Sequence, residues 1–285
     1  MKPVDLLLAL TVAIVWGLGF PFAKAGLGQF PPIFLMGLRF TLAALVLIWF
    51  VRPPWGYLWR IFGIVVIGGT IPYSLIFSGL GQLDASTAVL VVQLQVPFMA
   101  FFGWLMLGEQ FGWRRLFGMV LAFVGVALIA GQPALGSSLV PLFMVISGGT
   151  CWAFGQALIR RLAPRLGGLQ LIAWVAALVS PQLFIASYLF ERGQIDGLLA
   201  ADWRGWTVIL YLGLVMTAFG YALWYRLLAR CEVNQVGPFL LLQPVVAVVA
   251  SVLFLSESPT LPTLVGGVIV ITGVAIITIR PKQAG

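Results

Sequence analysis

Hydrophobic positions in this chain neither alternate nor mark out one face of a helix. They run on, in ten near-continuous stretches: 5–25, 32–51, 59–80, 86–107, 113–131, 139–160, 169–190, 206–228, 234–256 and 260–279. Each approaches the roughly 20 residues that a helix needs to cross the hydrocarbon core of a bilayer. Unbroken apolar character selects helices over an outer-membrane barrel, whose strands alternate. The stretches are punctuated at Pro31-Pro32, Arg52-Pro53-Pro54, Gly131-Gln132-Pro133, Pro164 and Ser258-Pro259, because proline and glycine interrupt the helical hydrogen-bond ladder. The expected fold is an all-α polytopic membrane protein of ten transmembrane helices. Short connections make consecutive helices antiparallel neighbours. The longest polar connection, Glu191 to Gly205, reads as a loop. The first apolar run has no small-residue cleavage site behind it and reads as a retained helix, not a signal peptide.

The pattern also repeats. Residues 61–130 and 209–278 align without a gap at an offset of 148. Tyr73 falls on Tyr221, Gln95 on Gln243, Glu109 on Glu257, Gly118 on Gly266, Gly125 on Gly273 and Asp84 on Glu232. Apolar agreements arise by chance in greasy segments; polar and glycine agreements do not. A shorter match sets Trp16–Lys24 on Trp152–Arg160 at an offset of 136, and the Glu191–Gly205 connection takes up the twelve-residue difference. Two units are expected, residues 1–131 and 139–280, each of five helices. Because five is odd, the second runs upside down relative to the first, about a pseudo-two-fold axis in the membrane plane and around a central cavity. Inverted repeats of that kind are a transporter's signature.

Composition narrows the class further. Of 285 residues, 61% are hydrophobic and 8% charged, with a mean hydropathy of +1.09. A soluble domain carries about a quarter charged residues, so no water-facing surface can be built here. The net charge of +8 does not indicate nucleic acid, since the basic residues sit at segment ends with no basic face between them. Twelve of the 16 belong to one side: Lys2, Arg52, Arg60, Arg114, Arg115, Arg160, Arg161, Arg165, Arg226, Arg230, Arg280 and Lys282. The other side has Lys24, Arg39, Arg192 and Arg204. The positive-inside rule then puts both termini in the cytoplasm, and Trp55, Tyr57, Trp59 and Trp113 suit an interfacial belt on that face. With no histidine and only Cys151 and Cys231, no metal, cofactor, disulfide framework or enzymatic activity is expected.

Candidate site residues follow from position. Gln95 and Gln243 lie near the middle of their helices, where an amide facing lipid is costly. Pro97 and Pro244 follow closely, and a membrane proline frees a carbonyl that needs another donor. Both helices are expected to break gently beside the cavity, with the amides bonding substrate; interhelical glue is the other reading. Gln93 and Gln156 are further candidates. Trp16, Trp152, Tyr73 and Tyr221, paired by the repeat, join Phe20, Trp174 and Trp224 as aromatics that can wall a pocket and orient a solute with their polar edges. Packing in the core or belt is the bland alternative. Lys24 and Arg39 are candidate carboxylate or gating contacts, set against snorkelling to the interface for Lys24.

Glu109 and Glu257 end the fourth and ninth helices on opposite faces, where the helix dipole disfavours a carboxylate. Each is read as a structural lock bonded to nearby backbone or hydroxyl groups. Gly118, Gly125, Gly266, Gly267 and Gly273 give small faces for close packing of the fifth and tenth helices. Asp5, Asp84, Glu109, Glu191, Asp196, Asp202, Glu232 and Glu257 all fall in loops or near helix ends. Ion-driven carriers usually hold a carboxylate inside a span, so transport without an obligatory ion is expected.

Together these residues resemble the drug/metabolite transporter (DMT) superfamily, specifically its ten-helix EamA-type branch. The first copy carries Trp16-Gly17, Arg39-Phe40, Pro97, Leu107-Gly108-Glu109, Gly118 and Gly125; the second carries Pro244, Leu255-Ser256-Glu257, Gly266 and Gly273. Overall similarity and aromatic richness further resemble the YddG-type amino acid exporters. The resemblance implies a bacterial inner-membrane exporter of aromatic and other neutral amino acids, or related small metabolites, working by alternating access. It implies a cavity walled by helices one, three, four, six, eight and nine. A proton-coupled drug/metabolite antiporter of the same fold is the alternative. A nucleotide-sugar carrier calls for more cavity Lys or Arg. A lipid-linked transferase needs acid–base or metal residues at an interface, and a channel needs rings of like side chains. Ten helices enclose a cavity unaided, so a monomer is expected, with a small-molecule substrate and the lipid bilayer as partners.

Overall fold

The computed structural model describes residues 2–108, 112–131, 139–162, 166–228, 230–231 and 236–278. The expectations at Glu109, Gln132, Pro133, Pro164, Arg165, Glu232, Arg280 and Lys282 lie outside the described residues. Ten spanning helices follow one another: α1 (Pro3–Gly26), α2 (Pro32–Phe50), α3 (Leu58–Gln82), α4 (Ala85–Leu107), α5 (Trp113–Ala130), α6 (Val140–Arg160), α7 (Gly168–Phe190), α8 (Trp203–Trp224), α9 (Phe239–Leu255) and α10 (Leu261–Thr278). Among the described residues nine of these are long and apolar enough to cross a bilayer, and α9 is the shorter tenth. Large apolar side chains such as Leu105, Leu253, Phe254 and Val268 stand exposed around the outside, as befits a protein whose solvent is lipid. Trp55, Trp59 and Trp113 are exposed near the ends of α3 and α5 on the N-terminal face.

The Glu191–Gly205 connection is not a plain loop. It holds a short helix, Gln194–Ala200, opened by Gly193 in the left-handed region at φ 79°. Ile195 and Leu199, four residues apart on this helix, are both exposed, which gives it an apolar edge suited to the membrane surface. A seven-residue helix is too short for its period to be read from sequence.

The inversion is visible in which glycines meet. A Cβ placed on Gly118 would lie 2.7 Å from the carbonyl oxygen of Gly273, and one on Gly273 would lie 2.5 Å from that of Gly118. Gly125 and Gly266 stand in the same relation, at 2.6 and 2.7 Å. Thus each glycine of α5 touches the repeat-mate of the other, and the contact order runs backwards along α10. That is an isologous, antiparallel contact across a two-fold axis. Backbones this close gain dispersion contacts that a larger residue would forfeit. On the same axis α2 meets α7, where the Thr41 and Ser180 hydroxyls hydrogen-bond at 2.5 Å and a Cβ on Gly37 would press on Phe184. Off the axis the symmetry holds as well: Gly68 of α3 packs on Gly155 of α6, and their mates Met216 of α8 and Gly19 of α1 pack on each other. The fold is therefore two inverted five-helix repeats.

Four of the helices are interrupted at matching depths. α3 has a π-helical turn at Val66–Thr70 and α8 a longer one at Tyr211–Phe219; shifting the first by 148 lands it inside the second. α4 tightens to a 3₁₀ turn at Val92–Leu94, and a 3₁₀ turn at Gly237–Leu241 forms the start of α9. Each 3₁₀ segment precedes a proline, Pro97 or Pro244, whose missing N–H leaves the carbonyl four residues back without its helical donor. Short π and 3₁₀ segments inside longer helices often mark functional positions.

Candidate functional site

Three of these turns, those of α4, α8 and α9, border one cavity of about 450 Å³ at the join of the repeats, within the roughly 300–1,000 Å³ of ordinary small-molecule sites; the fourth, in α3, sets Gly68 on a smaller chamber beside it. From the first repeat it is lined by Trp16, Gly17 and Phe20 of α1, Arg39 of α2, Tyr73, Ile76 and Phe77 of α3, and a run of α4 from Val89 to Met99 that includes Gln93 and Gln95. The second repeat supplies Trp152 of α6, Met216, Tyr221 and Trp224 of α8, Leu240, Leu241 and Gln243 along the entry to α9, and Val274 and Thr278 of α10.

Aromatic contacts shape the wall. The Trp16 ring packs on Tyr221 at 5.0 Å and on Trp224 at 5.7 Å. Its indole N–H donates to the Met216 carbonyl at 3.0 Å, an oxygen that lies within the π-helical segment of α8. In that segment Thr217 Oγ1 donates to Leu212 O, five residues back, at 2.7 Å. Across the cavity Phe20 stacks on Phe77 at 5.9 Å, and Tyr73 meets Phe40 edge-on at 4.7 Å. Among the described residues the Gln95 and Gln243 amides have no hydrogen-bond partner. Among the described residues no Asp or Glu lines the cavity, and Arg39 is the one cation there.

A smaller chamber of about 70 Å³ adjoins the cavity and shares Tyr73, Trp152 and Tyr221 with it. Gln156 lines this chamber, with Ile159, Leu171 and Val175. Of the candidates singled out from the sequence, Gln95, Gln243, Tyr73, Tyr221, Trp16, Trp152, Phe20 and Arg39 come together on the main cavity, and Gln156 stands next door. Trp174 belongs elsewhere, donating its indole N–H to Arg52 O at 3.2 Å. Lys24 lies outside the lining altogether. Its ammonium donates to Leu80 O, Gly81 O and Leu83 O at 2.9, 3.2 and 2.7 Å, capping the end of α3.

Helices α2 and α10 contribute to the wall beyond the six that the resemblance implies. Sequence reasoning missed Phe77, Met99, Met216 and Thr278. Nothing local marks Met216, whose place depends on the π turn, or Thr278, the last residue of α10.

The ends of the cavity are built differently. On the face away from the N-terminus, Glu257 closes on α4: its carboxylate accepts from Ala85 N at 2.6 Å, Ser86 N at 3.0 Å and Ser86 Oγ at 2.7 Å. The α4 N-cap residue, Asp84, makes no side-chain cap of its own, so the second repeat caps a helix of the first. Glu191 does the same for α2, accepting from Ile33 N at 2.7 Å and Phe34 N at 3.0 Å. Toward the N-terminal face the lining extends to Trp224, Leu240 and Thr278, at the ends of α8, α9 and α10.

Two inverted halves with a solute-sized chamber at their join make this a multi-pass membrane transporter. The chain belongs to the EamA-like transporter family, whose model matches it twice, over residues 4–131 and 139–279. It is 31% identical over 284 residues to a probable amino-acid metabolite efflux pump of Escherichia coli strain K12, an alignment covering 97% of this chain and 95% of that one. It is 26% identical over 279 residues to a probable terminal-alkyne amino-acid exporter of Streptantibioticus cattleyicolor, covering 96% and 92%. A solved crystal structure of a protein superimposes with a TM-score of 0.68 at 18% identity, over 98% of this chain and 97% of that one, a likeness of fold.

Proposed function

We propose that this protein exports neutral amino acids, aromatic and other hydrophobic ones among them, or related small metabolites, across a bacterial inner membrane. It works as a monomer with both termini in the cytoplasm. The units 1–131 and 139–280 rock against each other, so that the cavity faces each side in turn. Gln95 and Gln243 bond the solute's polar groups, Gln156 reaches it from the adjoining chamber, and Trp16, Trp152, Tyr73, Tyr221 and Phe20 enclose its apolar part. The observation that carries this reading is the pair of symmetry-related amides on an aromatic cavity, both without a protein partner among the described residues. Amides that served as glue between helices would be bonded to a neighbour. The names of the relatives in Escherichia coli and Streptantibioticus cattleyicolor point to the same class of solute.

Among the described residues the cavity offers no carboxylate to carry a proton or sodium ion, which supports movement down the solute's own gradient. A proton-coupled antiporter of the same fold is the second reading, and it draws on Asp5, buried in the first turn of α1. The test is counterflow of radiolabelled amino acids in proteoliposomes of purified protein, with Gln95→Ala and Gln243→Ala beside wild type. Each variant is expected to cut uptake at least tenfold, by the loss of one bond to a zwitterion. Normal transport by both variants would overturn the site. Uphill movement driven by an imposed pH gradient would select the second reading.

A further inference from the structure

We propose that Arg39 holds the carboxylate of the transported solute, so that a free carboxylate is the group this carrier demands. The inference rests on the exporter reading for the site but not for the solute's amino group. Arg39 sits two turns into α2, is 4% exposed, and lines the cavity. A charge at that depth is expensive and calls for a counter-charge or a function.

Among the described residues its contacts supply no counter-charge. Nε donates to Thr217 Oγ1 at 3.0 Å, and Nη1 lies 3.9 Å from the Met36 sulfur. The guanidinium carbon stands 5.0 Å from the Phe40 ring centre and 5.6 Å from that of Tyr73. These rings steady a cation without neutralising it. Among the described residues no carboxylate pairs with it, and its electrostatic neighbours are the phenols Tyr73 and Tyr221. Thr217 clamps one edge of the plane, since its own hydroxyl proton is spent on Leu212 O. That leaves donors on the terminal nitrogens for a ligand. A planar guanidinium fixed in this way suits bidentate recognition of a carboxylate.

Symmetry adds a second, independent reason. The amides, tyrosines and tryptophans come in repeat-related pairs and cannot tell one end of a solute from the other. The repeat-mate of Arg39, at an offset of 136, is Val175, a side chain on the small chamber. The charge therefore gives a two-fold cavity its polarity. Lys24 offers no competing anchor, because its ammonium is committed to three carbonyls.

The experiment measures binding to purified full-length protein by calorimetry, backed by thermal stabilisation. Two matched pairs are used: phenylalanine against phenylalaninamide, and phenylacetate against phenylacetamide. Wild type should prefer the acid of at least one pair by about 100-fold, the order expected of a charge-assisted bidentate contact. Arg39→Gln should bring the ratio to within about threefold, and Arg39→Lys should lower it about tenfold while keeping the charge. If Arg39→Gln does not yield folded protein, the Lys variant alone decides. A wild-type ratio near unity in both pairs overturns the proposal, and so does a folded variant that keeps the wild-type ratio. Preference for phenylacetate that depends on Arg39, with no binding of phenylalanine, would refute the amino acid reading and leave the anchor standing.

Discussion

Removing the Glu257 carboxylate should open the face that lies away from the N-terminus. In the present structure that face is shut: residues 85 to 92 at the start of α4 are all buried. What holds them is a carboxylate from the other repeat, accepting from two backbone N–H groups and one hydroxyl at 2.6 to 3.0 Å. Hydrogen bonds to a charged group are worth about 1.5–3 kcal/mol each, and they do not add fully. An anion at a helix N-terminus contributes about 0.3–1 kcal/mol more. Water reaches the freed groups once the face opens, so a net loss of about 2–4 kcal/mol is the reasonable range for Glu257→Ala. At about 1.4 kcal/mol per factor of ten, the closed arrangement loses on the order of 30- to 1,000-fold in population. Glu257→Gln keeps an acceptor without the charge and should fall between.

The assay is labelling of Val89→Cys, a buried cavity-lining position in the first turns of α4, by an impermeant maleimide added on that face. Cys151 and Cys231 are free and are first changed to Ser. The rate should rise by at least tenfold in Glu257→Ala and less in Glu257→Gln. Labelling of the alanine variant at the parent rate would show that the carboxylate does not keep the face shut.

Other outcomes follow from particular contacts. Gly125→Ala forces a Cβ to within 2.6 Å of Gly266 O and 2.8 Å of Val270 N, backbone atoms that cannot step aside, and should cost about 1–3 kcal/mol in a detergent melt. Gly63→Ala, with nothing within 4 Å of the added atom, should instead raise the melting temperature through helix propensity alone. Ser256→Gly should stabilise by about 1 kcal/mol, because Ser256 holds φ 55° where its repeat-mate Gly108 holds φ 67° and only glycine does so without strain; an unchanged or lower melting temperature would refute it. Asp202 caps α8 at Arg204 N and Gly205 N and accepts from Gln29, and that bond first, with the backbone ones, holds its carboxyl below the ordinary range. A depressed carboxylate contributes stability above its unfolded value of about 3.9 and loses it as pH falls through the lower folded value. Wild type should therefore show a steeper acid-side fall in melting temperature than Asp202→Ala.

Ten spans, the two copies and the inversion were all legible in the chain, because hydrocarbon imposes one rule on every spanning segment and a duplicated gene leaves polar marks at fixed offsets. Gln95 with Gln243, and Tyr73 with Tyr221, stood out for the same reason: a polar group repeated in a greasy helix is costly to keep. What no local pattern carried was set by contacts between helices distant in the chain. The π turn of α8 decides that Met216 and Thr217 turn toward Trp16 and Arg39, and hydropathy does not distinguish a π from an α turn. Lys24 and Arg39 are both single cations in apolar helices, yet among the described residues one finds three carbonyls at the end of α3 and the other finds none. The short helix Gln194–Ala200 and the capping of α4 by Glu257 likewise depend on where neighbouring ends come to lie. Membrane solvation is read residue by residue along the chain, whereas the partners of a buried polar group are chosen only when helices far apart in sequence pack.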